Sequence, residues 1–172
     1  MKHYVTGAVQ QRAPVYLTDA EYARTLDAVV KACSDVLVMN GRNVLLARRS
    51  VEPQPGWWFI GGRMRPGETP QEAAARHVSH DLGLLIEASK FQFLTAVSYV
   101  WARRKQPPQE NGTADVALVF YVTVTDDDTE EIRNCNTEEY ECFKWRSLDE
   151  ALNDSGLHVA LHDTLESLAK VI

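Results

Sequence analysis

The residues of this chain able to do chemistry gather in two stretches. The first is Gly62-Arg63-Met64-Arg65-Pro66-Gly67-Glu68, a short basic loop between two glycines that must bend sharply and leave its backbone accessible. It runs into Thr69-Pro70-Gln71-Glu72, which supplies an N-cap, a proline at the first helical position and the reciprocal Glu of a capping box. The helix then continues through Ala73–Leu82, and Gly83 is its natural left-handed stop. Ala74, Val78 and Leu82 share the face that packs, while His77 and Asp81 stand one turn apart on a neighbouring face beside His80. This spacing sets a polar row, able to hold a metal, on a rigid helix facing a glycine loop. The second stretch is Glu138-Glu139-Tyr140-Glu141, three acids ahead of the last apolar run.

Stepping outward, Thr18 caps a helix expected from Asp19 to about Ala32, with Glu21 at the capping-box position. Ser34–Met39 and Asn43–Ala47 are expected strands, joined by the hairpin signal Asn40-Gly41. Trp57-Trp58-Phe59-Ile60 forms a short strand into Gly61-Gly62; one tryptophan belongs to the core and the other can stack on a base. Phe91–Trp101, Val116–Thr125 and Phe143–Trp145 complete the strands, with a surface loop over 103–114. Asp126-Asp127-Asp128 is expected as a solvated turn. Ser147 and Glu150 form a further capping box, and Leu157–Val171 a final helix, with His158 and His162 on its surface. The expected architecture is a mixed α/β (α+β) fold in one domain over 1–172, with an N-terminal extension and helix over about 1–33.

The 172 residues are 45% hydrophobic and 24% charged, with net charge −6, and no basic stripe suggests a nucleic-acid partner. No apolar run is long enough for a bilayer, and the first fifteen residues do not resemble a signal peptide. Three cysteines without metal-ligand spacing are expected as reduced thiols in a cytoplasmic protein.

With these residues in place, the segment 62–84 resembles the box of the Nudix (MutT-like) hydrolase superfamily. Gly62, Glu68, Arg76, Val78, Asp81, Gly83 and Leu84 fall in register with its pattern. The resemblance implies an α/β/α sandwich with a mixed sheet, and a hydrolase of nucleoside diphosphates linked to another moiety. It makes Gly62, Glu68, Arg76 and Gly83 the structural frame of the box, with Glu68 bracing Arg76. Three positions depart from it. His77 and His80 stand where the family has glutamates, Asp81 replaces the final glutamate, and Ile60 replaces the proline before the glycines.

Two imidazoles in place of carboxylates remove hard ligands, so one Mg²⁺ is expected rather than several, with Mn²⁺ favoured if His77 or His80 coordinates. The reduced pattern resembles the GDP-mannose mannosyl hydrolase branch, which keeps only the last helix acid. One ion can be held by Asp81, a Gly61 or Gly62 carbonyl, substrate oxygens and water, and the likeness implies a further carboxylate from Glu139. It implies diphosphate contacts from Arg63 and from Arg48 or Arg49, and substrate contacts from Trp57 or Trp58. The branch's histidine base falls at Tyr140, a poor base at neutral pH. Glu138, Glu139 or Glu141 activating water at phosphorus, with Arg63 stabilising charge, is the expectation instead. A nucleotide sugar is the first substrate to consider. The alternative is a catalytically silent domain that binds a nucleotide or a protein as a regulator. A prenyl-diphosphate isomerase fits less well, because the box and cysteine context differ. The N-terminal extension is a plausible exchange element for a homodimer.

Overall fold

The computed structural model describes residues 3–8 and 15–172, so part of the N-terminal extension expected as an exchange element lies outside the described residues. Its helices are α1 (Asp19–Ala28), α2 (Pro70–Leu82), α3 (Asp126–Glu131), α4 (Leu148–Leu152) and α5 (Val159–Ala169). Its strands are β1 (Lys31–Asn40), β2 (Asn43–Arg49), β3 (Gly56–Trp58), β4 (Ile60–Arg63), β5 (Gln92–Trp101), β6 (Thr113–Thr123) and β7 (Tyr140–Ser147). They form one mixed sheet in the order β3-β2-β1-β6-β5, with β4 added beside β1 and β7 beside β2. β1 and β6 run parallel; the other pairings are antiparallel.

Helices cover both faces, as expected. Leu37, Met39, Leu46 and Val119 pack against Leu161, Leu165 and Leu168 of α5. Val36, Val38, Leu45 and Ile60 pack against Ala74, Val78 and Leu82 of α2. The alternation of residues 36–39 between two cores explains why β1 is apolar without a break: it is buried on both sides.

Several boundaries differ from the sequence reading. Helix α1 stops at Ala28 instead of continuing to Ala32, because β-branched Val29 turns extended and Lys31 already pairs with Asp115 of β6. The run Trp57–Ile60 is two strands: Trp57 and Trp58 pair with β2, whereas Ile60 pairs with Val36 of β1. Asp126–Asp128 opens α3, since Thr125 and Asp128 close a capping box and acids suit a helix N-terminus. His158 is the N-cap of α5, accepting from the Ala160 N–H, and its ring lies 5.3 Å from that of Trp58. It is therefore not a residue of the helix surface.

Candidate active site

The glycine pair sets the site. At Gly61 (φ 150°) a Cβ would stand 2.5 Å from the Ser34 carbonyl oxygen and 2.6 Å from Asp35 Oδ1, so only glycine lets β4 lie this close to β1. At Gly62 a Cβ would come within 3.1 Å of the His77 ring. The loop that follows is tied to α2 by Arg76, which reaches Glu68 through Nε (2.5 Å) and Nη2 (2.9 Å) and also donates to the Arg63 carbonyl at 3.0 Å. Burial pushes the Glu68 carboxyl up, but the Arg76 guanidinium and the Arg65 N–H outweigh it and hold the group below its ordinary value. This brace is the one the sequence implied.

His77 lies against this loop, its Nε2 3.2 Å from the Arg63 carbonyl oxygen. A carbonyl only accepts, so this nitrogen carries the proton. Burial first, and the neighbouring Arg76 charge second, lower the ring's pKa to about 4, so it is neutral at physiological pH. Asp81 is 2% exposed. Its Oδ1 accepts from His80 Nδ1 at 2.7 Å and from Asn136 Nδ2 at 3.0 Å. Burial raises the Asp81 carboxyl, opposed by those two bonds. Glu139 likewise holds one oxygen in protein contacts: its Oε1 accepts from Arg49 Nη2 at 2.7 Å and Nε at 3.1 Å.

These groups open onto a cavity of about 410 Å³. Arg63, Arg65, His77, His80, Asp81, Glu138 and Glu139 line its box end. Arg63 lies with its guanidinium 5.0 Å from the Tyr22 ring of α1. Of the two candidate arginines, Arg49 lines the cavity, while Arg48 faces out, pairs with Glu141 at 2.9 Å and lies 5.9 Å from the Trp57 ring. Trp58 lines the cavity and is buried; Trp57 does not reach it. Tyr140 is buried with its phenol pushed well above its ordinary pKa by desolvation, which suits no role as a base.

The cavity is also lined by residues that the sequence reading passed over: Asp35 beside Gly61, and at the far end Lys31, Tyr99, Trp101, Arg104 and Asp115. Burial raises the Asp35 carboxyl to about 7, with Arg49 opposing and Asp115 and Glu139 adding to the rise. An acid inside the apolar run Ser34–Met39 was the available signal. Arg104 falls in the expected surface loop, yet it is 1% exposed and spans from the loop to Asp27 of α1 at 2.7 Å. Asn111 donates to the same Asp27 oxygen at 3.0 Å.

Among the described residues no group of three or more His, Cys, Asp or Glu side chains converges as a metal site. A cluster of several Mg²⁺ ions therefore does not fit. A single hard cation does fit the donor chemistry. Glu139 adds to the cost of ionising Asp81, and each of the two leaves its second oxygen outside the hydrogen bonds described above. Among the described residues no helix is long and apolar enough to cross a membrane.

The family described as NUDIX domain matches residues 31–166. Among solved structures, a MutT NUDIX hydrolase from Burkholderia pseudomallei superposes with TM-score 0.66 at 22% identity, over 81% of this chain and 98% of that one. The NUDIX domain of Shewanella oneidensis NrtR, solved with ADP ribose, gives TM-score 0.63 at 16% identity, over 90% and 99%. At such identities the likeness is one of fold. Two curated proteins align over shorter stretches. An octanoyltransferase of Myxococcus xanthus is 34% identical over 46% of this chain and 23% of its own length. An isopentenyl-diphosphate Delta-isomerase of Corynebacterium diphtheriae is 32% identical over 51% and 49%. The chain thus spans half or less of the curated relatives it matches.

Proposed function

Since the chain belongs to the NUDIX domain family, we propose that it hydrolyses a nucleoside diphosphate derivative in this cavity, using one divalent cation instead of several. The observation that carries the reading is the shared arrangement of Asp81 and Glu139, each with one oxygen tied by neighbours and the other left for a ligand. Mg²⁺, or Mn²⁺, held there would neutralise diphosphate charge and act as a Lewis acid on phosphoryl oxygen. Arg63 and Arg65, at the lip of the cavity, match phosphate oxygens with their guanidinium forks. Arg49 holds Glu139 in place beneath them. Glu138 lines the same end and is exposed, where its carboxylate would orient or take a proton from water attacking phosphorus. His77 acts as a tie for the loop, since its Nε2–H is spent on the Arg63 carbonyl. Among nucleoside diphosphate derivatives, a nucleotide sugar of the GDP-mannose type is the substrate to try first, on the likeness of the reduced acid pattern.

One observation favours a second reading, a domain that binds such a ligand without turnover: fewer than three acid, His or Cys side chains converge among the described residues. Release of phosphate or nucleotide from nucleotide sugars, dinucleotides and nucleoside triphosphates, with Mg²⁺, Mn²⁺ or chelator, separates the two. Metal-dependent turnover lost in Asp81→Asn supports the hydrolase. A ligand that raises Tm without turnover under any metal refutes it.

A further inference from the structure

Among the described residues, four buried side-chain atoms lack a hydrogen-bond partner: Tyr99 Oη, Arg104 Nη2, Thr113 Oγ1 and Asp115 Oδ1. All four belong to residues that line the cavity described above, at the end away from α2. Their convergence has a simple origin in the sheet. Tyr99 stands opposite Asp115, and Trp101 opposite Thr113, so alternation places all four side chains on one face of β5 and β6. Arg104 adds its guanidinium from the loop, where Nε, Nη1 and the main chain are already bonded and only Nη2 is left. Tyr99, Arg104, Thr113 and Asp115 are each at most 8% exposed. Lys31 Nζ lies 2.9 Å from Asp115 Oδ1 but outside hydrogen-bonding geometry. A buried polar atom left unpaired costs roughly 1–3 kcal/mol. Three such atoms, beside an Asp115 oxygen held only by the Lys31 ion pair, mark a surface shaped for a polar guest.

Resting on the reading of this cavity as a nucleoside diphosphate site, we infer that Tyr99, Arg104, Thr113 and Asp115 form a recognition subsite for a vicinal diol on the ligand's sugar ring. Arg104 only donates and Asp115, as a carboxylate, only accepts, with two hydroxyls that do either. Adjacent ring hydroxyls each accept one bond and donate another, so one pair satisfies both ends of this set. A phosphate, which offers no donor as a dianion, would face Asp115 with like charge and belongs at the Arg63 end instead. Trp101 presents an aromatic surface beside the set, held by its Nε1–H to Asp115 Oδ2 at 3.0 Å.

The diol has two sources, the sugar linked to the diphosphate or the ribose of the nucleoside. Calorimetric titration of the full chain would use GDP- and UDP-linked hexoses, the free nucleoside diphosphates and their 2′,3′-dideoxy forms. Thr113→Val and Tyr99→Phe remove one hydroxyl each without changing shape. Each is expected to weaken the diol-bearing ligand about three- to tenfold, as for one hydrogen bond. Tm without ligand should hold or rise, because neither hydroxyl has a partner to lose, and Thr113→Ser should restore affinity. A loss confined to the nucleotide sugars assigns the linked sugar. A loss shared by free nucleoside diphosphates but absent from the dideoxy forms assigns the ribose. Unchanged affinity for every diol-bearing ligand, or a loss that follows the base and persists in the dideoxy forms, overturns the subsite while leaving the cavity a nucleotide site. If the unaltered chain binds none of these ligands, the underlying functional reading fails and the subsite with it.

Discussion

His77 donates from Nε2 to the carbonyl oxygen of Arg63 across 3.2 Å, fastening the box helix to the loop that carries the arginines. A position that the family fills with an anionic ligand has become a neutral donor. The ring's pKa of about 4 lies below the ordinary value of 6.5, so the unfolded chain binds a proton first. Stability should therefore fall as pH drops from about 6.5 towards 4, and this part of the loss should vanish in His77→Gln. Ring ¹⁵N chemical shifts check the cause: His77 should stay neutral at pH 5.5. A ring that protonates near 6.5 would refute the assignment.

Asp35 shows the opposite sign. Its carboxyl is raised to about 7 by burial, so the folded state holds its proton between the ordinary carboxylate range and neutrality. Stability from this group is present below about pH 4 and lost as pH rises through 7. Asp35→Asn should come nearest to the unaltered protein at about pH 4 and exceed it in melting temperature by a growing margin up to pH 8. Equal Tm differences at both pH values would contradict the burial argument.

Asn136 reaches Asp81 from the segment before β7, 55 residues along the chain. Outer partners of this kind orient a ligating carboxylate, and their loss typically costs about 10- to 100-fold in metal affinity. Asn136→Ala should weaken Mn²⁺ binding by that order, read by electron paramagnetic resonance titration, while circular dichroism stays unchanged. If Mn²⁺ binds equally in both proteins, Asp81 is not the ligand.

Gly61 tests the packing of β4 on β1. Alanine there would set a Cβ 2.5 Å from the Ser34 carbonyl oxygen at a φ that side chains rarely adopt. Gly61→Ala should destabilise by at least about 2 kcal/mol in urea unfolding, as overpacking and backbone strain add. Gly41→Ala, where nothing lies within 4 Å, controls for strain alone at its φ of 55°.

The legible parts of this molecule were those written along one element. The capping box at Thr69, the stop at Gly83 and the Glu68–Arg76 brace depend on spacing within about 20 residues, and each stands where the sequence placed it. What escaped reading depends on neighbours far away in sequence. Trp57–Ile60 looks like one strand because nothing local says that its two halves pair with different partners, β2 and β1. Arg48 and Arg49 were equivalent until register put Arg49 opposite Tyr140 and beside Glu139. Arg104 carries every local mark of a solvated cation, and only the closure of its loop onto α1 buries it.

That last contact has a consequence for access. The two walls at the far end of the cavity, α1 and the segment 102–112, meet through Asp27, whose carboxylate receives both Arg104 and Asn111 from the segment while its side chain stays 43% exposed. A substitution at this outward-facing acid would loosen both walls together and leave the strands of the floor untouched. Because Arg104 also belongs to the recognition set, this one acid outside the floor governs both the wall and the guanidinium that reaches the guest.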